Sequence, residues 1–366
     1  MRLLYIVPDV TGAGGIARVI SLKLDYLLTR TDCKIDIISL NSTKKNCFYG
    51  FNKKINWHTI NHSKNSIFFL KSYFLFIKEV ISKVEPDIIV VCDANFWYLF
   101  PWFIKFEIPI IFETHVSKFL EKSDNESLFR RFISPLINPV KRKTFKKFDK
   151  VIFLSQDCSD EWELKNNVVI PNPVTFFVEK ESSLNNNRAI AIARHSYEKG
   201  IDRLLMIWKN IIKEHPDWCL DIYGEWNGNN KYQLLAIDLG ISNSVNFFPP
   251  TLDIKDKYLE SSIYLMASRS EALPLVLIEA MNCGLPCVSY DCPSGPRNII
   301  EDNENGFLIE DGNSTDFEKK VALLIEDKEL RIRMGKKAKL SIEKYQIDKV
   351  MNQWDDLFQD ISLVKH

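Results

Sequence analysis

The stretch Ser268 to Ile300, SRSEALPLVLIEAMNCGLPCVSYDCPSGPRNII, constrains the fold of this chain more than any other. It follows an apolar run, Ile263-Tyr264-Leu265-Met266-Ala267, and carries its own start and stop signals. Pro274 suits the first turn of a helix, where its missing N–H costs nothing. Leu275, Val276, Leu277, Ile278, Ala280 and Met281 continue that helix. Gly284 can close it in the left-handed conformation, and Pro286 prevents its return. Cys287-Val288-Ser289-Tyr290 then reads as a short buried strand. Strands alternating with helices in this way give a doubly wound parallel sheet.

Two glutamates bracket the start of the helix. Glu271 sits in the loop before it, and Glu279 projects one to two turns inside it. At ~1.5 Å rise per residue their Cα atoms are roughly 10 Å apart. Between them, over Ala272, Leu273, Pro274 and Leu275, lies the helix N-terminus, whose N–H groups (all but that of Pro274, which has none) are a natural seat for a phosphate. A carboxylate at each end of a diphosphate seat suits a ligand with hydroxyls on both sides. Ribose, diphosphate and hexose in a nucleotide sugar have that layout. Upstream, the strand Ala189-Ile190-Ala191-Ile192-Ala193 delivers Arg194 at its carboxyl end, and Lys199-Gly200 opens the next helix. Two cations five apart at such a turn fit a diphosphate.

The first half shows the same alternation. Arg2 to Val7 is a buried strand, Pro8 to Gly15 a loop, and Ile16 to about Leu28 a helix. Gly12, Gly14 and Ala17 match the dinucleotide fingerprint G-x-G-x-x-A, but the second strand, Lys34 to Leu40, holds its acid mid-strand at Asp36 and ends in Leu40-Asn41. The fingerprint wants an acid at the strand's end, so a nicotinamide site is rejected. Pro86 to Val91 and Pro109 to Glu113 are further strands, the latter leading to Thr114-His115. His115 is therefore at the carboxyl edge of the sheet, where ligands bind. Residues 175–187 are polar and turn-rich and read as a linker.

With 366 residues, 46% hydrophobic and 26% charged, the chain has material for two globular domains. Net charge is zero, yet residues 1–172 carry 25 Lys and Arg against 18 Asp and Glu, while residues 173–366 carry 23 against 30. A basic half suggests an anionic surface or ligand. The eight cysteines show no CxxC pair and no accompanying histidine, so they read as free thiols of a reducing cytoplasm. MRLLYIVPDV is too short and too early broken for a signal peptide, and no uncharged apolar run approaches ~18 residues. Asn95-Phe96-Trp97-Tyr98-Leu99-Phe100-Pro101-Trp102-Phe103 is dense in aromatics. Lys141 to Phe148 is basic with interleaved Phe, preceded by Arg130-Arg131. Each stretch reads either as a contact for an anionic leaflet or as ordinary structure: a core helix for the first, a solvated helix face for the second. No nucleic-acid-binding motif accompanies the basic stretch.

Taken together, Glu-x7-Glu around Pro274, the Gly284-Leu285-Pro286 turn and the Asp291-Cys292-Pro293 loop resemble glycosyltransferase family 4, retaining enzymes of the GT-B fold. The resemblance is strong in the second half and loose in the first. One departure is Ala272, where the family usually has Gly. The resemblance implies an α/β GT-B architecture of two Rossmann-like doubly wound domains facing a cleft. Residues 1–174 would bind the acceptor and residues 188–340 the nucleotide sugar. A helix in residues 341–366, with Val350, Met351, Trp354, Leu357 and Phe358 at helical spacing, would cross back to the first domain.

The implied activity is hexosyl transfer from a UDP-sugar to a glycan or lipid-linked acceptor in bacterial surface-polysaccharide assembly. It needs no cofactor and no metal, and no Asp-x-Asp is present. By the same resemblance, Glu271 holds donor-sugar hydroxyls and Glu279 the ribose. Arg194, Lys199 and the backbone at Ala272 to Leu275 hold the diphosphate. Gly14-Gly15 lies over the donor phosphate near the acceptor, His115 beside the donor sugar, and the Pro249-Pro250-Thr251 loop beside the base. The implied place is the cytoplasm, with peripheral contact to the inner face of the membrane. Competing readings are a nucleotide-sugar epimerase or glycogen-type synthase on the same fold, and a catalytically idle sugar-binding scaffold.

Overall fold

The computed structural model describes residues 1–30, 32–40, 47–60, 69–92, 97–103, 107–115, 118, 138–226, 228 and 230–363. Asn41, Asn95, Phe96, Arg130 and Arg131, named above, lie outside the described residues. The chain divides into two compact units. The first takes Met1–Lys118, Ser127–Thr175 and Ile347–His366, and the second takes Phe176–Gln346.

The first unit is built on a parallel sheet of seven strands in the order β3-β2-β1-β4-β5-β6-β7. These are β1 Arg2–Val7, β2 Lys34–Leu40, β3 Asn56–Ile60, β4 Ile88–Cys92, β5 Ile110–Glu113, β6 Lys150–Phe153 and β7 Asn167–Val169. β1 and β4 read as continuous apolar runs because helices cover both faces of a parallel sheet. The mid-strand Asp36 has a structural partner: His58 Nε2 of β3 lies 2.8 Å from its Oδ1. Around the sheet pack α1 (Gly15–Arg30), α2 (Phe69–Val84) and the short α3 (Phe100–Phe103). A further helix spans 138–145.

The second unit repeats the plan with six parallel strands in the order β10-β9-β8-β11-β12-β13. They are β8 Arg188–Ile192, β9 Cys219–Tyr223, β10 Val245–Phe248, β11 Ile263–Met266, β12 Cys287–Asp291 and β13 Gly306–Glu310. α4 (Ile201–Glu214) follows β8, and α5 (Leu275–Asn282) lies between β11 and β12. Pro274 caps α5 in an extended conformation (φ −72°, ψ 100°) and so stands just outside the first turn. Gly284 has φ +77°, the left-handed stop expected of it. The segment expected as a linker is bound to this unit. Ser182 Oγ donates to Ser261 O, Asn186 Nδ2 to Glu260 O, and Leu184 is buried. Residues 314–341 form two helices, Ser314–Glu326 and Lys328–Ser341. They part at Asp327, whose side chain accepts from Leu330 N and starts the second.

The last helix, α6 (Ile347–Leu363), belongs to the first unit. Val350, Met351, Trp354, Leu357, Phe358 and Ile361 are buried, in one core with β1 and with Ile20, Leu24 and Leu27 of α1. Tyr26 Oη donates to Asp348 Oδ1 at 3.0 Å, which fixes the start of α6 against α1. The change of unit falls at Ile347, after residues 342–345 have packed on the second unit. There Tyr345 Oη donates to Asn298 O.

Candidate active site

In the second sheet the strand order reverses between the neighbours β8 and β11. Open parallel sheets bind ligands outside the carboxyl ends of the strands at such a reversal. The loop after β8 carries Arg194 to Lys199, and the loop after β11 carries Ser268 to Glu271. Gly200 brings them together. Its φ is +64°, and a Cβ there would stand 1.9 Å from the carbonyl oxygen of Ala267. Only glycine allows that approach. With the loop seated, Lys199 Nζ donates to Glu271 Oε1 at 2.7 Å, and Ser268 Oγ donates to the same oxygen at 2.8 Å. The Lys199 and Glu271 side chains keep 21% and 10% of their exposure. The pair is drawn in from bulk water but open to a ligand.

A clamp that sequence reasoning missed locks this geometry. Arg269 Nη1 and Nη2 donate to Asp202 Oδ1 and Oδ2 at 2.9 and 2.6 Å, and Nη1 also donates to Tyr197 O. Its guanidinium lies 4.0 Å from the Tyr197 ring centroid, and its backbone N–H reaches Glu198 O. Burial would raise the Asp202 carboxyl, but the Arg269 hydrogen bonds and charge outweigh it and hold Asp202 below the usual range. The only local hint is Ser-Arg-Ser between a strand end and Glu271.

The loop after β12 braces the start of α5. Gly295 has φ +79°, and a Cβ there would lie 2.8 Å from Pro274 Cδ and 3.0 Å from Ala272 O. Ala272 and Leu273 are buried beneath this contact, and Leu275 opens the helix. Glu279 is also buried and accepts a hydrogen bond from Tyr258 Oη at 3.0 Å. Neither glutamate of the Glu-x7-Glu pattern is a solvated surface carboxylate. Arg194 behaves differently from Lys199: it is exposed and pairs with Glu198 at 3.3 Å, outside the Lys199–Glu271 pair. Beside it, His195 packs against Trp226, Tyr232 and Phe247 with centroids 5.3, 5.6 and 5.6 Å away. Burial pushes its imidazole down, toward the neutral form. His195, the 226–232 stretch and Phe247 are far apart in the chain, so no single sequence window shows the group. Cys287 and Cys292 are buried, burial pushes both thiols up, and none of the eight cysteines forms a disulfide.

In the first unit, Gly14 and Gly15 are exposed at the start of α1. A Cβ at Gly12 or Gly14 would meet nothing within 4 Å, and neither has positive φ. The fold itself does not require these glycines. His115 stands just past the carboxyl end of β5, as its position implied, but its side chain is 1% exposed. Its Nε2 is 3.6 Å from Glu113 Oε1, and Lys23 Nζ donates to that same oxygen at 2.6 Å. Cys92 Sγ reaches Glu113 Oε2 at 3.8 Å. Burial alone would raise Glu113. The charges of Lys23 and His115, with hydrogen bonds from Lys23 and Cys92, hold its carboxyl below the usual value. The ligand atoms of Cys92, Glu113 and His115 lie within 4.8 Å of one another. Glu113 Oε1, however, is already engaged by the Lys23 ammonium, and this reads as an ion-pair network.

Two separate Rossmann-like parallel sheets with flanking helices, the last helix returned to the first unit, are the GT-B fold of nucleotide-sugar enzymes. TarM of S. aureus, solved as a mutant in complex with fondaparinux, alpha-GlcNAc-glycerol and UDP, matches with a TM-score of 0.78 at 16% identity over 98% of this chain and 99% of that one. Residues 175–341 match the family described as "Glycosyl transferases group 1". An uncharacterized glycosyltransferase of Haemophilus influenzae is 31% identical over 360 residues, 96% of this chain and 98% of its own. The amylovoran biosynthesis glycosyltransferase AmsD of Erwinia amylovora is 27% identical over 97% of this chain and 99% of its own. The chain belongs to the group 1 glycosyl transferases. Among the described residues no helix is long and apolar enough to cross a membrane.

Proposed function

We propose that the protein is a retaining glycosyltransferase of the family 4 type, transferring a hexose from a UDP-sugar to a glycan or lipid-linked acceptor in cell-surface polysaccharide assembly. The observation that carries this is the Lys199–Glu271 contact across the reversal of strand order, at the foot of α5. In a front-face route the bond from the anomeric carbon to the diphosphate oxygen breaks, and the acceptor oxygen bonds to that carbon on the same face. The acceptor proton passes to the leaving diphosphate. The protein's chief task is to stabilise charge on that diphosphate. When donor enters, Lys199 turns from Glu271 to the diphosphate, joined by Arg194 and by backbone N–H groups at Ala272, Leu273 and Leu275. Glu271 is released to hold sugar hydroxyls, and Glu279, oriented by Tyr258, accepts from the ribose. The aromatic group around His195, with the Pro249-Pro250-Thr251 loop, flanks the base. The second unit thus holds the donor and the first unit the acceptor, where the exposed Gly14-Gly15 loop and His115 serve transfer. Lysine and arginine supply the countercharge that a metal would otherwise supply, so no metal is needed.

The UDP in the TarM complex and the polysaccharide role in the AmsD name support this choice of donor and pathway. The test is a donor screen by nucleotide release, using UDP- and GDP-sugars with a lipid-linked acceptor, with and without EDTA. Release from a UDP-sugar, unchanged by EDTA, with the donor's anomeric configuration kept in the product, is expected. Release that EDTA abolishes, or an inverted product, would overturn the mechanism. No release from any UDP-sugar would overturn the donor.

A further inference from the structure

We infer that the face of the first unit carrying α3, the 138–145 helix and the outer stripe of α2 docks on an anionic lipid surface. The structure sorts the described residues of the two aromatic stretches. Phe145 and Phe148 are core residues, packed on Phe112 at 5.1 and 4.9 Å, and Phe100 is buried as well. These three anchor nothing outside. Among the described residues, what stays outside is Trp102, 46% exposed, and Phe103, 51% exposed, with Val140 and Leu75. Ordinary surfaces scatter such residues singly; here they are tied together. Phe103 stacks on Phe74 of α2 at 4.6 Å, and Trp102 Nε1 donates to Thr144 Oγ1 at 2.9 Å, which fixes the indole.

Lysines surround these side chains. Lys147 Nζ is 4.5 Å and Lys143 Nζ 5.7 Å from the Trp102 ring centroid, and Lys141 Nζ is 5.3 Å from that of Tyr98. On α2, exposed Leu75 lies between exposed Lys71 and Lys78, four residues before and three after it, on one helix stripe. Among the described residues Lys141, Lys143, Lys146 and Lys147 enter no ion pair, whereas Arg142 is taken by Glu163 at 2.8 Å. A bilayer of anionic lipid matches both halves of this pattern. It takes an amphipathic indole and a phenyl ring at its interface, and it offers diffuse negative charge to lysines whose stems lie along apolar surface. The +7 excess of cations over residues 1–172 falls in the same unit.

The test is flotation of the full chain with phosphatidylglycerol-containing vesicles and with neutral vesicles, at 0.1 M and 1 M salt. The Debye length falls from ~10 Å to ~3 Å between these salts. The protein should float with anionic vesicles at low salt, and largely leave them at high salt. Lys143→Ser/Lys146→Ser/Lys147→Ser should weaken partitioning about fivefold per lysine, about 1 kcal/mol each. Leu75→Ser/Phe103→Ser should weaken it at both salts. All five side chains are exposed, and unchanged melting temperatures would confirm folded variants. UDP binding should be unchanged in both variants, which separates this surface from the donor reading. Wild type left in solution with anionic vesicles at low salt overturns the proposal, as does a lysine variant that floats like wild type. Self-association that Leu75→Ser/Phe103→Ser abolishes, without vesicle binding, would show that the face pairs two copies instead.

Discussion

Lys23–Glu113 in the first unit and Lys199–Glu271 in the second are each one ammonium against one carboxylate, at 2.6 and 2.7 Å. Each carboxylate sits at or just past the carboxyl end of a central strand. They differ in access to water. Lys23 and Glu113 are 1% exposed, and the Lys23 ammonium also lies 3.8 Å from the Trp354 ring centroid, under α6. Such a pair is sealed. Its charges were desolvated on folding, and each is tolerated only because the other is present. Lys199 and Glu271 keep enough exposure to exchange partners. The same two residue types, on the same sheet plan, serve cohesion in one unit and ligand exchange in the other.

The largest expected effect breaks the sealed pair. Glu113→Ala should cost about 3–5 kcal/mol of stability, because it strands a buried ammonium. Glu271→Ala should cost clearly less, because the Lys199 ammonium it leaves behind keeps access to water. Urea melts of both variants measure this, and equal losses would erase the distinction between the pairs. The sealed pair also has a pH signature. Its folded-state carboxyl is held below the usual value. The stability it gives is therefore present above the unfolded glutamate pKa of about 4.3, and is lost as pH falls through the lower folded value. The gap between wild type and Glu113→Ala should shrink on the acid side of pH 4, not on the alkaline side.

Next comes the open pair. Lys199→Ala should lower turnover ~10²–10³-fold, the usual loss when one preorganised stabiliser of developing charge is removed, while its melting temperature stays near that of wild type. Arg194→Ala should move turnover in the same direction. Wild-type turnover in Lys199→Ala would place the diphosphate elsewhere. Smaller still, Glu279→Ala should weaken UDP binding by about 1.5–3 kcal/mol, the worth of hydrogen bonds to a charged group. Calorimetry showing unchanged affinity in a folded variant would remove Glu279 from the ribose. The smallest change expected is in His115→Ala: transfer down by up to about tenfold, one hydrogen bond's worth, with UDP affinity intact. A collapse of UDP affinity along with transfer would show that His115 serves the nucleotide.

The two units were not equally legible. In the second, strand ends, Pro274, Gly284 and the charges of the 194–200 and 268–271 loops are local signals, and each reads from a short window. Arg269–Asp202 is not local: its partners are 67 residues apart, and only the seated loop joins them. In the first unit the deciding contact spans 90 residues. Lys23 lies in an amphipathic helix where a lysine reads as solvated, and nothing nearby announces Glu113. The position of His115 at the strand end is legible, but its burial is not: Cys92, whose sulfur lies within 4.8 Å of it, comes from β4. β3, Asn-Trp-His-Thr-Ile, has polar residues at alternate positions and shows no apolar run. In the basic stretch, charge is legible but direction is not. Phe145 in the helix and Phe148 just after it turn inward, while Pro139, Val140, Arg142, Lys143, Lys146 and Lys147 stay outside.

The central claim is that the Lys199–Glu271 pair at the foot of α5 is a nucleotide-diphosphate site. Isothermal titration of UDP into wild type and Lys199→Ala tests it most directly. Hydrogen bonds from a charged group to a phosphate are worth about 1.5–3 kcal/mol. Wild type should bind UDP at one site per chain, and Lys199→Ala should bind it roughly 10- to 150-fold more weakly with an unchanged melting temperature. Equal UDP affinity in the two proteins, or none in wild type, would contradict the claim.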